Sequence, residues 1–269
     1  MSELNFTLGV VHNTHEHNTK FVNRFNTIEI KNPTLPIPEK KDYLYHSNYS
    51  VSLDDIPKAL ESDMQLLQNK KIRRFSFDAG PCYRKVIEKD YKYYPGETFI
   101  SSADLIDMTG ETIHKIKKIF GNQNTNLAVE NLNYYATGAY EDGVCLPEFY
   151  NDLSEKYKIE QVLDLAHLKV TAINMKIPFL ELLDRVNHDY VREIHLTRID
   201  FLDDNSAIDA HFEPMEDDFN NLLIAINKNT NPNLDIVIEA WRDIQKLQSS
   251  FENLNQFIKE NSDHKIIFN

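Results

Sequence analysis

The 269-residue chain carries 42 Asp and Glu against 29 Lys and Arg, a net charge of -13, with 41% hydrophobic residues. That composition supplies a sizeable core, and the acidity, with no dense Lys/Arg block, argues against nucleic acid as a partner. Cys82 and Cys145 are too few for a disulfide framework, and neither a signal peptide nor an apolar run near the roughly 20 residues of a membrane span is visible, so a soluble, cytoplasmic protein with no membrane partner is expected.

Along the chain, short β-branched or apolar runs alternate with amphipathic stretches. FTLGVV (6–11) and NTIEI (26–30) read as strands, followed by the Pro-rich NPTLPIPEKKD (32–42), which reads as a loop. YLYHS (43–47) precedes the helical SLDDIPKALESDMQLLQNKK, with N-cap candidates between Ser52 and Asp55, and RRFSFD (73–78) precedes SADLIDMTGETIHKIKKIF, with candidates between Ser101 and Asp104. LAVE (127–130), QVLDL (161–165), VREIHL (191–196) and DIVIEA (235–240) complete eight strands, interleaved with LPEFYNDLSEKY, PFLELLDRV and DDFNNLLIAINK. Strand then helix, repeated about eight times, predicts an α/β fold in which one domain over 1–269 forms a single (β/α)8 TIM barrel. The terminal KIIFN run has no assignment in this scheme.

Metal-capable side chains fall at the ends of these strands. His46 ends the third, Asp78 the fourth, Glu130 the fifth, Asp164 with His167 the sixth, His195 the seventh and Glu239 the eighth, while Asp209 and His211 follow the seventh on a loop. In a (β/α)8 barrel those ends share the rim where active sites sit. Taken singly, the Asp-x-x-His of LDLAH reads equally as ligands or as a strand-end polar pair, DAHFEP carries less weight, and His46 reads first as a satisfied buried histidine. Together they are costly without cations, because clustered carboxylates repel and burial penalises their charge. The N and O donors suit Fe, Mn or Zn. Of the histidines in NTHEHN and before it, His12 alone lies at a strand end, whereas His15 and His17 read as solvated loop and His114, His188 and His264 as surface.

The order of LAVENLNYY, LDLAHLKVTAIN, VREIHL, IDAHFEP and IVIEA resembles the multinuclear non-heme iron-dependent oxidative enzymes, a family of xylose-isomerase-like TIM barrels. The resemblance is clearest from Leu127 to Trp241 and reaches back through LGVVHN, TIEIKN and LYHSNYSVSL. It implies two or three iron ions (with Zn or Mn as alternatives), dioxygen as cosubstrate, and His46, Glu130, Asp164, His195, Asp209, His211 and Glu239 as ligands, with Glu130, Asp164, His195 and Glu239 at the catalytic centre. Asn131 and Asn174 match further polar positions, and with Arg198 they are the substrate-binding candidates. This chain has Asp78 where the family has a histidine, His167 where it has an asparagine, and Glu29, Lys31 and Asn32 where strand two of the family carries His and a second Glu. The Asp-x-x-His and Asp-x-His pairs are also similar to the trinuclear zinc arrangement of endonuclease IV. On that template His46, Asp78 and Glu130 form one site, Glu130, Asp164, His195 and Glu239 a second, and His167, Asp209 and His211 a third.

The resemblance implies oxidation of a residue, often cysteine, in a ribosomally made peptide, with a leader-binding partner protein as a further expectation. A divalent-metal hydrolase or a sugar isomerase or epimerase of the same superfamily is the alternative, and a non-enzymatic metal-binding or peptide-carrier barrel a third reading.

Overall fold

A computed structural model describes residues 5–12, with backbone alone, and 25–261 apart from positions 26, 41, 68, 122, 123, 232 and 241–243. The chain runs through β1 (Asn5–His12), β2 (Glu29–Ile30), β3 (Tyr43–Ser50), α1 (Ile56–Leu66), β4 (Ile72–Asp78), β5 (Val86–Lys89), β6 (Lys92–Pro95) and α2 (Ser102–Phe120). It continues through β7 (Asn126–Glu130), α3 (Pro147–Tyr157), β8 (Glu160–Asp164), α4 (Leu165–Met175) and α5 (Phe179–Arg185). The last elements are β9 (Val191–Leu196), β10 (Arg198–Phe201), β11 (Ala207–Phe212), α6 (Glu216–Lys228), β12 (Asn233–Ile238) and α7 (Ile244–Asn261).

Strands β1, β2, β3, β4, β7, β8, β9 and β12 pair in parallel, each with the next, and β12 pairs with β1 to close the barrel. Each is one of the eight runs read from the sequence. Local chemistry sets the helix ends: Asp55 Oδ1 accepts from Lys58 N at 3.3 Å to start α1, Ser101 Oγ accepts from Asp104 N at 3.1 Å to start α2, and α2 stops at Gly121, whose φ is 56°. The buried residues of α2, namely Leu105, Thr109, Ile113, Ile116 and Phe120, recur every three or four positions and so share one face. The Pro-rich stretch after β2 contains no helix between residues 31 and 40, as expected.

Some features depart from the sequence reading. Helix α4 begins directly at the end of β8, and its buried residues, Leu165, Ala166, Leu168, Val170, Thr171 and Ala172, lie on several faces, so no single apolar stripe announces it. Helix α7 buries Leu247, Phe251, Leu254 and Ile258. Two antiparallel hairpins, β5–β6 and β10–β11, rise from the barrel, so Asp209 and His211 stand on β11 and not on an irregular loop: β11 is held by pairing to β10 across a turn in which Leu202 N donates to Ser206 O at 3.0 Å. His114 is exposed on α2, whereas His188, read as a surface residue, is half-buried, with Nε2 at 3.1 Å from the Leu183 carbonyl. The side chain of His12, together with His15, His17, Trp241, His264 and the KIIFN run, lies outside the described residues.

The main apolar core lies between the sheet and the helices. Among the described residues, Leu44 and Val237 form a buried apolar pair separate from that core.

Candidate metal centre

Side chains alternate along a strand, so the residues packed against the helices determine which ones face the barrel axis. Ile28 and Ile30 pack outward around Glu29; Phe75 and Phe77 do the same around Arg74, Ser76 and Asp78; Ile194 and Leu196 flank His195; and Leu234, Ile236 and Ile238 alternate with Asp235 and Val237. The polar residues of these strands are thereby forced inside.

They form two levels. At the N-terminal ends of the strands, Arg74 donates from Nε to Glu160 at 2.7 Å and from Nη1 to Glu193 at 3.0 Å and Asp235 at 2.6 Å, while Arg73 forks onto Asp235 at 2.7 and 2.9 Å. At the C-terminal ends no arginine among the described residues enters. Asp78 on β4 is in register with Glu130 on β7, and Asp164 on β8 with His195 on β9, so four potential ligands meet at adjacent strand ends.

Glu130 is the hub. Its Oε2 lies 3.2 Å from His46 Nδ1, and its Oε1 lies 3.3 Å from His195 Nδ1 and 3.4 Å from His167 Nδ1. His195 Nδ1 also lies 3.1 Å from Glu239 Oε2 and 4.0 Å from Asp164 Oδ2, while its Nε2 lies 2.9 Å from Glu29 and 3.2 Å from Glu193. The Asp-Leu-Ala-His sequence has a local job as well: Asp164 caps α4, accepting from His167 N through Oδ1 at 2.7 Å, which leaves Oδ2 facing the site. Gly80, with φ 92°, lets the chain leave β4 directly after Asp78, where any Cβ would collide with Ser50 and Ser52.

Among the described residues, three sets of ligand-type atoms come close enough to share an ion: Glu130, Asp164, His195 and Glu239; His46, Asp78 and Glu130; and Glu29, Glu193 and His195. The first two match the expected sets. In the third expected set, Asp209 Oδ2 lies 2.7 Å from His211 Nε2 and 3.3 Å from His167 Nε2. The pairing of β10 with β11 shifts between Arg198 opposite Phe212 and Ile199 opposite Asp209, leaving Ala210 and His211 as a bulge, and His211 takes a left-handed φ of 49°. Such bulges re-aim side chains, here turning His211 toward Asp209. Above these groups is a cavity of about 400 Å³, lined among others by Lys31, Tyr91, Tyr93, Asn133, Tyr135 and His211. Tyr135 Oη accepts from Asp209 N at 3.3 Å and from Asn133 Nδ2 at 3.1 Å.

Buried polar atoms left without hydrogen-bond partners are the electrostatic signature of this level. Glu29 Oε1, Asp78 Oδ1, both oxygens of Glu130, Asp164 Oδ2, Asp209 Oδ1, Glu239 Oε2 and His195 Nδ1 are buried with no hydrogen-bond partner. Burial pushes the Asp78 carboxyl up to about 7, with Glu130 adding to the rise, and burial raises Asp164 too. Burial also opposes charge on His195 and His167, but Glu29 and Glu130 hold the first, and Asp164 and Asp209 the second, well above the ordinary histidine range. Burial and the nearby Lys31 hold His46 well below it, which keeps a neutral nitrogen there. Protons on two histidines are thus the compensation that the side chains themselves provide. Ligated cations would replace those protons and satisfy the orphaned oxygens, so the residues fit a metal centre of N and O donors.

The substrate-binding candidates fall elsewhere. The Asn131 amide is committed to the Asp164 backbone, donating to its carbonyl at 3.0 Å and accepting from its N–H at 2.8 Å. Asn174 donates to Tyr134 O at 2.8 Å and Ala207 O at 3.0 Å and accepts from Ala207 N at 2.9 Å, so it ties α4 to the β10–β11 hairpin. Arg198 lies over the Phe212 ring and lines a separate groove of about 870 Å³ with Met215, Phe219 and Phe257. Sequence reasoning did not place Glu29, Lys31 and Glu193 in the interior. The alternation in Ile28-Glu29-Ile30-Lys31 was the available signal, because both faces of a barrel strand are covered.

The fold is shared with solved barrels. The 3-keto-D-glucoside 4-epimerase YcjR from E. coli is 13% identical, with a TM-score of 0.61 over 93% of this chain and 99% of that one. The IOLI protein solved with a zinc atom is 12% identical, with a TM-score of 0.62 over 95% and 99%, and a xylose isomerase domain containing protein from Salmonella typhimurium is 12% identical, with a TM-score of 0.56 over 94% and 95%. These likenesses show the TIM-barrel fold. No curated protein matches the chain in sequence. Residues 99–260, well over half of the chain and including every candidate ligand from Glu130 onward, match a family profile, and the protein therefore belongs to the RiPP precursor modification enzymes MbnB/TglH/ChrH, which act on the precursors of ribosomally synthesised, post-translationally modified peptides.

Proposed function

We propose that this protein is a multinuclear iron enzyme that uses dioxygen to oxidise a residue, foremost a cysteine, of a ribosomally made precursor peptide. The observation that carries the reading is the set of buried, partnerless carboxylate oxygens converging on Glu130, within a chain whose family modifies peptide precursors. Glu130 would bridge two ions, one also held by Asp164, His195 and Glu239 and the other by His46 and Asp78, with His167, Asp209 and His211 offering a further site. When bound, the ions would supply Lewis acidity and the one-electron redox steps by which electrons pass from the oxidised peptide residue to dioxygen.

The chain's own residues do the rest. Glu29 holds His195 Nε2, so that Nδ1 faces Glu130 and Glu239. Asn131 fixes the Asp164 backbone against β7, and the α4 cap orients the Asp164 carboxylate. Tyr135 spends both oxygen lone pairs on Asn133 and Asp209, so its own hydrogen is free to donate to a peptide group in the cavity. Asn131 and Asn174 thus support the site from behind, and peptide contacts fall to Tyr91, Tyr93, Asn133 and Tyr135. No helix among the described residues is long and apolar enough to cross a membrane, and the buried free thiols Cys82 and Cys145 suit a reducing cytoplasm.

The test joins metal analysis with mass spectrometry of a short cysteine-bearing peptide encoded beside the gene. Iron in the purified protein and a mass change in the peptide that requires both iron and dioxygen are expected. Zinc as the active metal, with phosphatase or epimerase activity and no oxygen uptake, would replace this reading with the hydrolase or isomerase one.

A further inference from the structure

Lys31 is a cation set among potential ligands. It follows β2, its carbonyl accepts from Asn48 Nδ2 at 2.5 Å, and its ammonium is ion-paired with Glu239 Oε1. It is 9% exposed and lines the same cavity as His46, Asp78, Glu130 and Glu239. Glu239 therefore divides its oxygens: Oε1 serves Lys31, while Oε2, buried and without a hydrogen-bond partner, faces His195 Nδ1.

The charge balance gives this arrangement a consequence. Among the described residues, six carboxylates, those of Glu29, Asp78, Glu130, Asp164, Asp209 and Glu239, stand against the Lys31 ammonium, an excess of five negative charges when ligating histidines are neutral and Glu193 is counted with the lower network around Arg74. Two divalent ions would leave one of these charges uncovered, and three would exceed them by one. With a neutral side chain at position 31 the excess would be six, and three ions would match it.

We propose that Lys31 is a built-in cation of the cluster: it takes the charge-balancing place of a metal ion beside Glu239 and weakens binding in the adjoining His46–Asp78–Glu130 group, making that group the loosest of the sites. The inference rests on the proposed metal centre.

Its test is titration of chelator-stripped protein with Zn²⁺ by calorimetry, with ions counted after dialysis. Wild type retains two ions per chain and Lys31→Met three, and the weakest site tightens about tenfold or more when the unit positive charge beside it is removed. Lys31→Arg behaves as wild type, and adding His46→Ala to Lys31→Met removes the gained ion. Lys31→Gln, which keeps a donor for Glu239 without the charge, gives the same gain and serves if Lys31→Met does not fold. Equal or fewer ions in the neutral variants, or equal affinities, overturn the inference while leaving the metal centre standing. Absence of binding in wild type and variants alike overturns both.

Discussion

The floor and the mouth of this barrel draw buried carboxylates from the same strands and treat them in opposite ways. On β9, Glu193 and His195 are two residues apart; on β4, Arg74 and Asp78 are four apart; and Asp235 in β12 and Glu239 just beyond it are also four apart. At the floor, Arg73 and Arg74 reach every carboxylate of the network with charge-assisted hydrogen bonds of 2.6–3.2 Å. At the mouth, carboxylate oxygens of Glu29, Asp78, Glu130, Asp164, Asp209 and Glu239 remain buried and partnerless. The floor is complete within the polypeptide. At the mouth Lys31 pairs with Glu239, and the remaining carboxylate oxygens suit the cations proposed there.

The largest expected effect breaks the floor. Arg74→Met should destabilise the fold by about 3–5 kcal/mol, because it leaves Glu160, Glu193 and Asp235 short of their shared partner while keeping similar bulk. Urea unfolding measures it. A loss under about 1 kcal/mol would mean that the floor is as tolerant of missing cations as the mouth, and the contrast would fail.

The next effect belongs to the mouth and depends on ions. Removing metal from the wild type should lower its melting temperature by roughly 5–10 °C if ions are present at about 100 times their Kd. Glu130→Gln should lose most of the bound metal, because a neutral amide is a poor substitute for a bridging carboxylate, and should melt at the same temperature with and without chelator. Full metal occupancy in this variant would remove Glu130 from the hub.

How much of this was legible in the sequence follows the same division. The eight barrel strands could be read because short apolar and β-branched runs are a local signal. The strand-end positions of Asp78, Glu130, Asp164 and His195 followed from the strands, since a parallel barrel brings those ends together, whereas His46, expected to end the third strand, lies inside β3, which runs on to Ser50. The floor was not legible: Arg74, Glu160, Glu193 and Asp235 come from four strands, and nothing local to any of them names its partners. Lys31 paired with Glu239 across 208 positions is the same case. The bulge that aims His211 was also hidden, because it arises from pairing with β10 and not from a turn residue such as Gly.

Smaller effects separate the groups within the mouth. With metal saturating, His167→Ala should lose one ion and leave the pair bridged by Glu130, since His167 contributes to the Asp209 and His211 group through Nε2. Metal counting with anomalous scattering tests this, and either unchanged occupancy or loss of every ion would contradict it. Within that group, Asp209→Asn and His211→Ala should lower activity to similar degrees, and the double variant should lose little more than either single, as for residues acting as a unit. Losses that multiply cleanly would assign the two residues separate roles.

The smallest effect sharpens the floor by comparison with the surface. Arg185 on α5 also makes a forked contact with a carboxylate, from Nε to Glu148 Oε1 at 2.6 Å and from Nη2 to Oε2 at 2.8 Å, distances no longer than those Arg74 makes. What differs is solvent: the Arg185 and Glu148 side chains are 29% and 53% exposed, against 4% and 0% for Arg74 and Glu193. Water can solvate Glu148 once its partner is removed, whereas it cannot reach Glu193. Arg185→Ala should therefore cost less than about 1 kcal/mol and become smaller still in high salt, while the loss caused by Arg74→Met should be nearly insensitive to salt. Unfolding both variants at low and high ionic strength compares them directly. A cost for Arg185→Ala approaching that for Arg74→Met would show that contact geometry, and not burial, sets the strength of these networks, and the distinction between floor and mouth would then lose its physical basis.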